Sequence, residues 1–168
     1  MKLLMLIGAL LTAWWFWFNG TDLKTEDALV RTTSSGVLLG LDHQTHTSWL
    51  GIPYAKSTAG PYRWKAPQPY IADRLLKAHQ YGEPCAQPAM VIANHTLTEM
   101  RYTGSENCLF LNIWAPQQRH ADATPIPVIV WVHGGANVVG NGNINGGKLA
   151  SSQRVIVVSI NYRLGILG

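Results

Sequence analysis

Charged residues are scarce in this chain. Only 13% of its 168 residues are Asp, Glu, Lys or Arg, about half of what is usual for a soluble protein. The 13 basic residues are scattered along the chain against 9 acidic ones, which argues against a nucleic-acid-binding surface. With 47% hydrophobic residues, the composition is that of a globular chain of about one domain and not of a disordered or collagen-like one.

Cysteine is also rare, and Cys85 and Cys108 are the only two. In an oxidising compartment an even pair is expected to form a disulfide, whereas the alternative is two free buried thiols. A bridge between them would close a loop of just over twenty residues, worth about 3 kcal/mol in the chain-entropy model. The sequence leaves both possibilities open.

The N-terminus carries no charge from residue 3 to residue 18, directly after Lys2. A basic residue followed by an apolar stretch is typical of a secretory signal. The stretch is shorter than the ~20 residues of a spanning helix, but the aromatic residues 14–18 could serve as an interfacial anchor. We expect residues 1–20 to be a signal peptide or an N-terminal anchor, and the protein to be secreted or periplasmic.

The first half of the chain has strand and turn signals. Residues 28–33 and 36–41 are short apolar runs separated by two serines, and the turn residues 42–44 predict a hairpin over residues 36–50. His43 and His46 lie at its tip without a Cys or a carboxylate at ligand spacing, so we expect solvated turn residues and no metal site.

Two long loops are expected next. Residues 51–69 contain four prolines alternating with aromatic residues, which excludes a helix and indicates an ordered surface loop. Residues 78–103 are expected to be irregular as well, and a disulfide between the two cysteines would hold this long loop in place.

The second half changes character. Residues 109–114, 128–132 and 155–162 are continuously apolar or β-branched, the pattern of strands buried on both faces of a central α/β sheet. Residues 148–154 are expected to form one or two helical turns.

The segment with chemical information is the strand of residues 128–132 and the His133-Gly134-Gly135-Ala136 that ends it. Glycines directly after a strand let backbone N–H groups point into a cleft. An acyl-transfer enzyme needs such donors where the carbonyl oxygen becomes an oxyanion. In α/β-hydrolases this loop has the form HGGG, and Ala in the last position keeps the main-chain donor.

A nucleotide site is the competing interpretation of the same glycine-rich region. Residues 142–148 fit G-x-x-x-x-G-K, but Leu149 stands where a phosphate loop needs Ser or Thr, and the strand ends ten residues earlier. A dinucleotide fingerprint that starts at Gly140 breaks at Asn145. We therefore expect no nucleotide, other cofactor or metal.

Five ordered blocks carry a family resemblance: residues 51–55 (GIPYA), 62–67 (YRWKAP), 105–113 (SENCLFLNI), 130–136 (VWVHGGA) and 161–168 (NYRLGILG). The chain resembles the N-terminal part of the type-B carboxylesterase and cholinesterase family. The resemblance implies an α/β fold: the N-terminal portion of an α/β-hydrolase, with a β-hairpin, a disulfide-closed omega loop and the first strands of a central mixed sheet. Residues 28–168 would be a partial domain, truncated before the nucleophile elbow.

The resemblance also implies roles for individual residues. Cys85 and Cys108 would form the bridge of the first omega loop, and Arg63 and Glu106 would form a structural ion pair.

In the glycine loop, Gly135 and Ala136 would donate the two oxyanion-hole N–H groups while Gly134 shapes the turn. His133 would be a loop residue and not the triad base. Asn107 stands where the family usually has Asp. Asn137 stands where the family usually has an aromatic or bulky residue that lines the pocket.

The nucleophile is missing from the chain, since no G-x-S-x-G occurs in it. In this family the Ser-His-Asp/Glu triad lies after the last matching block. We expect a fragment of an exported serine carboxylesterase that is inactive alone, with a small-molecule ester as its substrate and no membrane contact except through an N-terminal anchor. The alternatives are a catalytically silent adhesion or binding protein, against which the intact glycine motif weighs, and a non-functional truncated product.

Overall fold

The computed structural model describes residues 29–93, 96–117 and 125–168. The proposed signal or anchor, residues 1–20, lies outside the described residues. The strands are β1 (Val30–Thr33), β2 (Gly36–Leu39), β3 (Leu41–Asp42), β4 (His46–Pro53), β5 (Leu76–Lys77), β6 (Gln87–Ala93), β7 (Thr96–Thr103), β8 (Phe110–Pro116), β9 (Val128–Val132) and β10 (Ile156–Ile160). One α-helix, α1 (Gly147–Gln153), and two 3-10 turns, Gly60–Tyr62 and Gly165–Leu167, complete the elements of the described residues.

The central sheet has the strand order β3-β4-β8-β10-β9. Its pairs are antiparallel except for β9 and β10, which run parallel with Val130 opposite Val158. The expected mixed sheet and its three C-terminal strands are therefore confirmed. Helix α1 forms the crossover between β9 and β10, as expected for a parallel pair.

Each face of the sheet carries a small core. On one face α1 buries Ala150 completely against Trp114 and Val157. On the other, Trp49 of β4 packs with Leu38 of β2, so the three-stranded sheet β1-β2-β5 covers this side of the central sheet.

The hairpin predicted over residues 36–50 is only partly correct. Strand β2 pairs with β1 and β5, and only the two-residue β3 pairs with β4, with Leu41 opposite Ser48. The chain changes sheets at Gly40, whose amide bonds to Leu29 O at 2.9 Å. A Cβ there would lie 2.7 Å from Ser48 O and the Trp49 ring, so only glycine permits this close crossing.

The prediction that residues 78–103 are irregular is wrong for most of the segment. Strands β6 and β7 form an antiparallel hairpin, with Gln87 opposite Thr103. The sequence does not predict this hairpin, because Pro88 weakens the strand signal and because residues 94–95 contain no glycine. The disulfide therefore closes a hairpin as well as a loop.

Strand β9 has the sequence of a strand buried on both faces, but each of its five residues is exposed. Its exposed fractions run from 38% at Trp131 to 58% at Val130. The expected burial is therefore not observed, because within the described residues β9 has β10 as its one strand neighbour and lies at the sheet edge.

Candidate active site loop

The glycine-rich loop begins where β9 ends. Because β9 and β10 are parallel, their carboxyl ends meet at the same edge of the sheet, which brings His133 beside Tyr162. The Tyr162 hydroxyl donates to His133 O at 2.6 Å. The two rings stack with centroids 4.3 Å apart and an interplanar angle of 14°.

Three consecutive residues of the loop have positive φ angles: Gly135 at 117°, Ala136 at 54° and Asn137 at 58°. The amides of Val138 and Val139 both donate to Gly135 O, at 3.0 and 3.1 Å. A Cβ on Gly135 would collide with the Val139 carbonyl oxygen, whereas one on Gly134 would meet nothing within 4 Å. The need for glycine in this turn therefore falls on Gly135.

Residues 134–137 are exposed, and their backbone amides donate no hydrogen bond to any of the described residues. Such groups must find a partner in solvent or in a ligand. Two adjacent, unengaged N–H groups, those of Gly135 and Ala136, can hold a developing negative charge without first breaking an internal bond.

A buried polar cluster holds the far end of the loop at Gly142. The Gly142 amide donates to Asn161 Oδ1 at 2.6 Å. Its carbonyl accepts from Ser159 Oγ at 2.5 Å and from Asn112 Nδ2 at 3.1 Å. Asn112, Ser159 and Asn161 are each at most 1% exposed, and such satisfied buried networks fix one geometry.

Two further contacts hold the middle of the loop. The Asn137 carbonyl accepts from the Gly165 amide at 2.6 Å. Both backbone groups of Gly140 bond to the side chain of Gln87. The loop is thus tied to three separate parts of the chain.

His133 is buried, and a hydrogen bond fixes the orientation of its ring. Its Nδ1 lies 2.8 Å from Gly134 O, and because a carbonyl only accepts, Nδ1 carries the proton. The other nitrogen, Nε2, is buried and has no partner among the described residues.

The bridge between Cys85 and Cys108 is confirmed, with the two Cα atoms 4.8 Å apart. Arg63 and Glu106 form the expected ion pair: Nε donates to Oε2 at 2.6 Å, and Nη2 contacts Oε1. The hydrogen bond to Glu106 raises the pKa of Arg63. Thr58 Oγ1 donates to Glu106 O at 2.6 Å, so the pair joins the first loop to the disulfide region.

The two departures from the family pattern are both exposed. The Asn107 backbone amide donates to Ser105 Oγ at 3.0 Å. The carboxamides of Asn107 and Asn137 bond to none of the described residues. The Asn137 side chain is therefore available to a ligand beside the two candidate donors.

Other expectations concern metals and membranes. Among the described residues there is no group of three His, Cys, Asp or Glu side chains that could hold a metal ion. No helix within those same ranges is long and apolar enough to cross a membrane.

Sequence reasoning missed the residues that hold the loop: Gln87, Asn112, Ser159, Asn161 and Tyr162. A signal existed for three of them. Asn112 and Ser159 interrupt apolar strands, and Asn161 follows one directly, and a polar residue in a buried strand needs a hydrogen-bond partner. Gln87 and Tyr162 carry no such signal.

Comparison with known proteins shows the family to which the chain belongs. The family model described as "Carboxylesterase family" matches residues 27–168. The chain belongs to the carboxylesterase family. Among relatives in that family, the para-nitrobenzyl esterase of Bacillus subtilis is 40% identical over 82% of this chain and 28% of its own length. The cholinesterase of Mus musculus is 38% identical over 86% of this chain and 25% of its own length.

A solved structure titled PNB esterase superposes on this carboxylesterase chain with a TM-score of 0.70 at 38% identity. The match covers 83% of this chain and 28% of the solved one. The fold is therefore the N-terminal portion of an α/β-hydrolase, as expected. The chain spans between a quarter and a third of the length of these relatives.

Proposed function

We propose that this chain is part of an exported serine carboxylesterase that hydrolyses carboxylic esters of small molecules. The observation that carries the proposal is the pair of unengaged N–H groups at the exposed residues Gly135 and Ala136, on a loop held at three places. Membership of the carboxylesterase family supports it, and so do relatives named as esterases. A protein that only binds has no need of such a loop.

In the proposed reaction a serine outside this chain attacks the ester carbonyl and a histidine accepts its proton. The carbonyl oxygen becomes negatively charged and is held by the N–H groups of Gly135 and Ala136. Collapse of the intermediate expels the alcohol, which takes the proton from the histidine, and water then releases the acid by the same steps. Each donor of this kind is worth about 2.7–4 kcal/mol in the transition state.

Export is the second part of the proposal. It is supported by the uncharged residues 3–18 after Lys2 and by the Cys85–Cys108 bridge, because disulfides persist in oxidising compartments. Residues 1–20 would act as signal peptide or as uncleaved anchor. Fractionation of cells expressing the protein, with N-terminal sequencing, tests this. A reduced protein in the cytosol would contradict it.

The first measurement is to sequence the gene beyond the codon for Gly168. An in-frame Gly-x-Ser-x-Gly would supply the nucleophile elbow. A stop codon, or an elbow without serine, would contradict the proposed activity. The 168-residue chain alone is expected to show no burst of product with an activated aryl ester, and a stoichiometric burst would contradict that expectation.

The oxyanion role is tested by removing one N–H group and nothing else. Incorporation of lactic acid in place of Ala136, by nonsense suppression in the full-length enzyme, converts the amide to an ester. We expect kcat for an aryl ester to fall by about 10²–10³-fold. The same replacement at Ala66, an exposed residue whose amide donates to no described residue, is the matched control. An unchanged kcat at position 136 would overturn the assignment.

A further inference from the structure

Gln87 makes three hydrogen bonds with its side-chain amide. Its Nε2 donates to Cys85 O and to Gly140 O, both at 2.9 Å, and its Oε1 accepts from the Gly140 amide at 2.7 Å. The side chain is buried, with 8% exposed. Gln87 therefore satisfies both backbone groups of Gly140, as a neighbouring strand would.

Gly140 is packed directly against the start of the glycine loop. A Cβ on Gly140 would collide with His133 Nδ1 and lie 2.5 Å from Gly134 O. Its φ of 124° also requires glycine. Gly140 therefore lies closely against His133 and Gly134, the two residues that precede the Gly135 N–H.

The same side chain reaches the disulfide. Gln87 lies two residues after Cys85 and bonds to its carbonyl, and Cys85 is tied covalently to Cys108. A parallel bridge between Cys85 and Ser105 adds a second attachment to the chain before β8. Gln87 is thus the point at which the disulfide-closed hairpin contacts the glycine loop through hydrogen bonds.

We propose that Gln87 is a positioning residue for the oxyanion loop, which it holds through Gly140 and braces against the Cys85–Cys108 bridge. The expected effect on kcat rests on the proposed function, whereas the contact between Gln87 and Gly140 does not. Gln87 touches no reacting atom, and it acts by limiting where the Gly135 and Ala136 N–H groups can lie. Small misplacements of such donors lower rates strongly.

The test uses the full-length enzyme and the variant Gln87→Met, which keeps the length of the side chain and removes all three hydrogen bonds. Hydrogen exchange at the Gly140 amide is expected to become at least about tenfold faster, because its acceptor is gone. We expect kcat for an aryl ester to fall about 10–100-fold with KM within about twofold, the signature of a lost transition-state interaction. A merely structural role would lower the amount of folded enzyme and leave kcat per active site unchanged.

Gln117→Met is the matched control, because the Gln117 side chain donates to Asp42 Oδ1 at 2.6 Å, outside the glycine loop. It should leave both exchange at Gly140 and kcat unchanged. Gln87→Glu keeps an acceptor for the Gly140 amide but places a carboxylate oxygen against the carbonyl oxygens of Cys85 and Gly140, so kcat should fall in this variant as well. If Gln87→Met does not fold, Gln87→Glu tests the positioning role instead. A wild-type kcat in Gln87→Glu would then overturn the proposal.

The outcomes separate the two hypotheses. Wild-type kcat in Gln87→Met, together with a lowered kcat in the Ala136 ester variant, overturns the role of Gln87 alone. Wild-type kcat in both overturns the proposed oxyanion function as well. Unchanged exchange at Gly140 in Gln87→Met shows that the contact does not restrain the loop and overturns the inference.

Discussion

Tyr162 holds His133 in two ways, through a hydrogen bond from its hydroxyl to the His133 carbonyl oxygen at 2.6 Å and through a ring stack at 4.3 Å. The two residues follow adjacent parallel strands. The carbonyl of His133 lies directly after β9 and two residues before Gly135, so this contact holds the loop where it leaves the sheet.

Removing only the hydroxyl, with Tyr162→Phe, keeps the stack and leaves the His133 carbonyl without its donor. We expect the free energy of unfolding to fall by about 1 kcal/mol, the usual net value of such a bond. Urea denaturation measures it. Tyr102→Phe is the control, because Tyr102 is 84% exposed, and it should change stability by less than about 0.5 kcal/mol. Equal losses in the two variants would show that the Tyr162 bond contributes nothing.

The disulfide spans a sequence separation of 23 residues. Replacing both cysteines by Ala should lower the free energy of unfolding by about 3 kcal/mol in the chain-entropy model. Thermal or denaturant unfolding with and without a thiol reductant measures it. The wild-type protein should lose stability on reduction, whereas the Cys85→Ala/Cys108→Ala variant should be insensitive to the reductant. A wild-type midpoint that does not move on reduction would contradict the prediction.

Ala136 is a residue with a side chain in a left-handed conformation, with φ of 54°. That conformation costs a non-glycine residue about 1–2 kcal/mol, and the extra freedom of glycine in the unfolded chain returns about 0.4–1 kcal/mol of this. Ala136→Gly should therefore raise the free energy of unfolding by roughly 0.5 kcal/mol.

The control for this change is Ala66→Gly, at an exposed position without a positive φ. There the substitution only loosens the unfolded chain and should lower stability. If residue 136 is strained, calorimetry should show that the free energy of unfolding rises in Ala136→Gly and falls in Ala66→Gly. A loss of stability in both would show that it is not.

His46 links stability to pH. Partial burial lowers its pKa, and the neighbouring His43 ring, stacked at 4.5 Å, lowers it further, while Asp42 acts in the opposite direction. Because the folded pKa lies below the unfolded value of about 6.5, the unfolded state binds more protons as pH falls through this value. Stability from this group is present above about pH 6.5 and is lost on acidification.

Thermal midpoints at pH 7.5 and 5.5 measure this effect. The wild-type midpoint should fall more between the two pH values than that of His46→Gln, which cannot titrate. His43→Gln should give an intermediate fall, because one cause of the lowered pKa is removed and burial remains. The same fall in wild type and His46→Gln would show that other groups govern the dependence.

Much of the fold could be predicted because its signals are local. The apolar runs at residues 109–114, 128–132 and 155–162 correspond to β8, β9 and β10, and the polar stretch after the glycines forms α1. The β6–β7 hairpin was missed because it is stabilised by pairing across the disulfide loop and not by the turn chemistry that marks hairpins in sequence. The pairing predicted for β2 was wrong for a similar reason. The chain crosses closely at Gly40, and this crossing places β2 in the other sheet.

The candidate site divides in the same way. The glycine motif identified Gly135 and Ala136 because their chemistry lies in the backbone and follows one strand. The residues that hold this loop come from positions 17 to 53 residues away, and no short pattern contains them. They can be recognised only as partners of particular backbone atoms.

The amino-acid sequence by itself determined the three C-terminal strands of the central sheet, the family and the position of the two candidate donors, because periodicity and glycine spacing act over a few residues. Only the tertiary structure decided which strands pair, that Gln87, Asn161 and Tyr162 meet one loop, and that the donors stay unengaged. Hydrogen bonds depend on the distance and direction between two atoms, and for distant residues both are set by the packing of the whole chain.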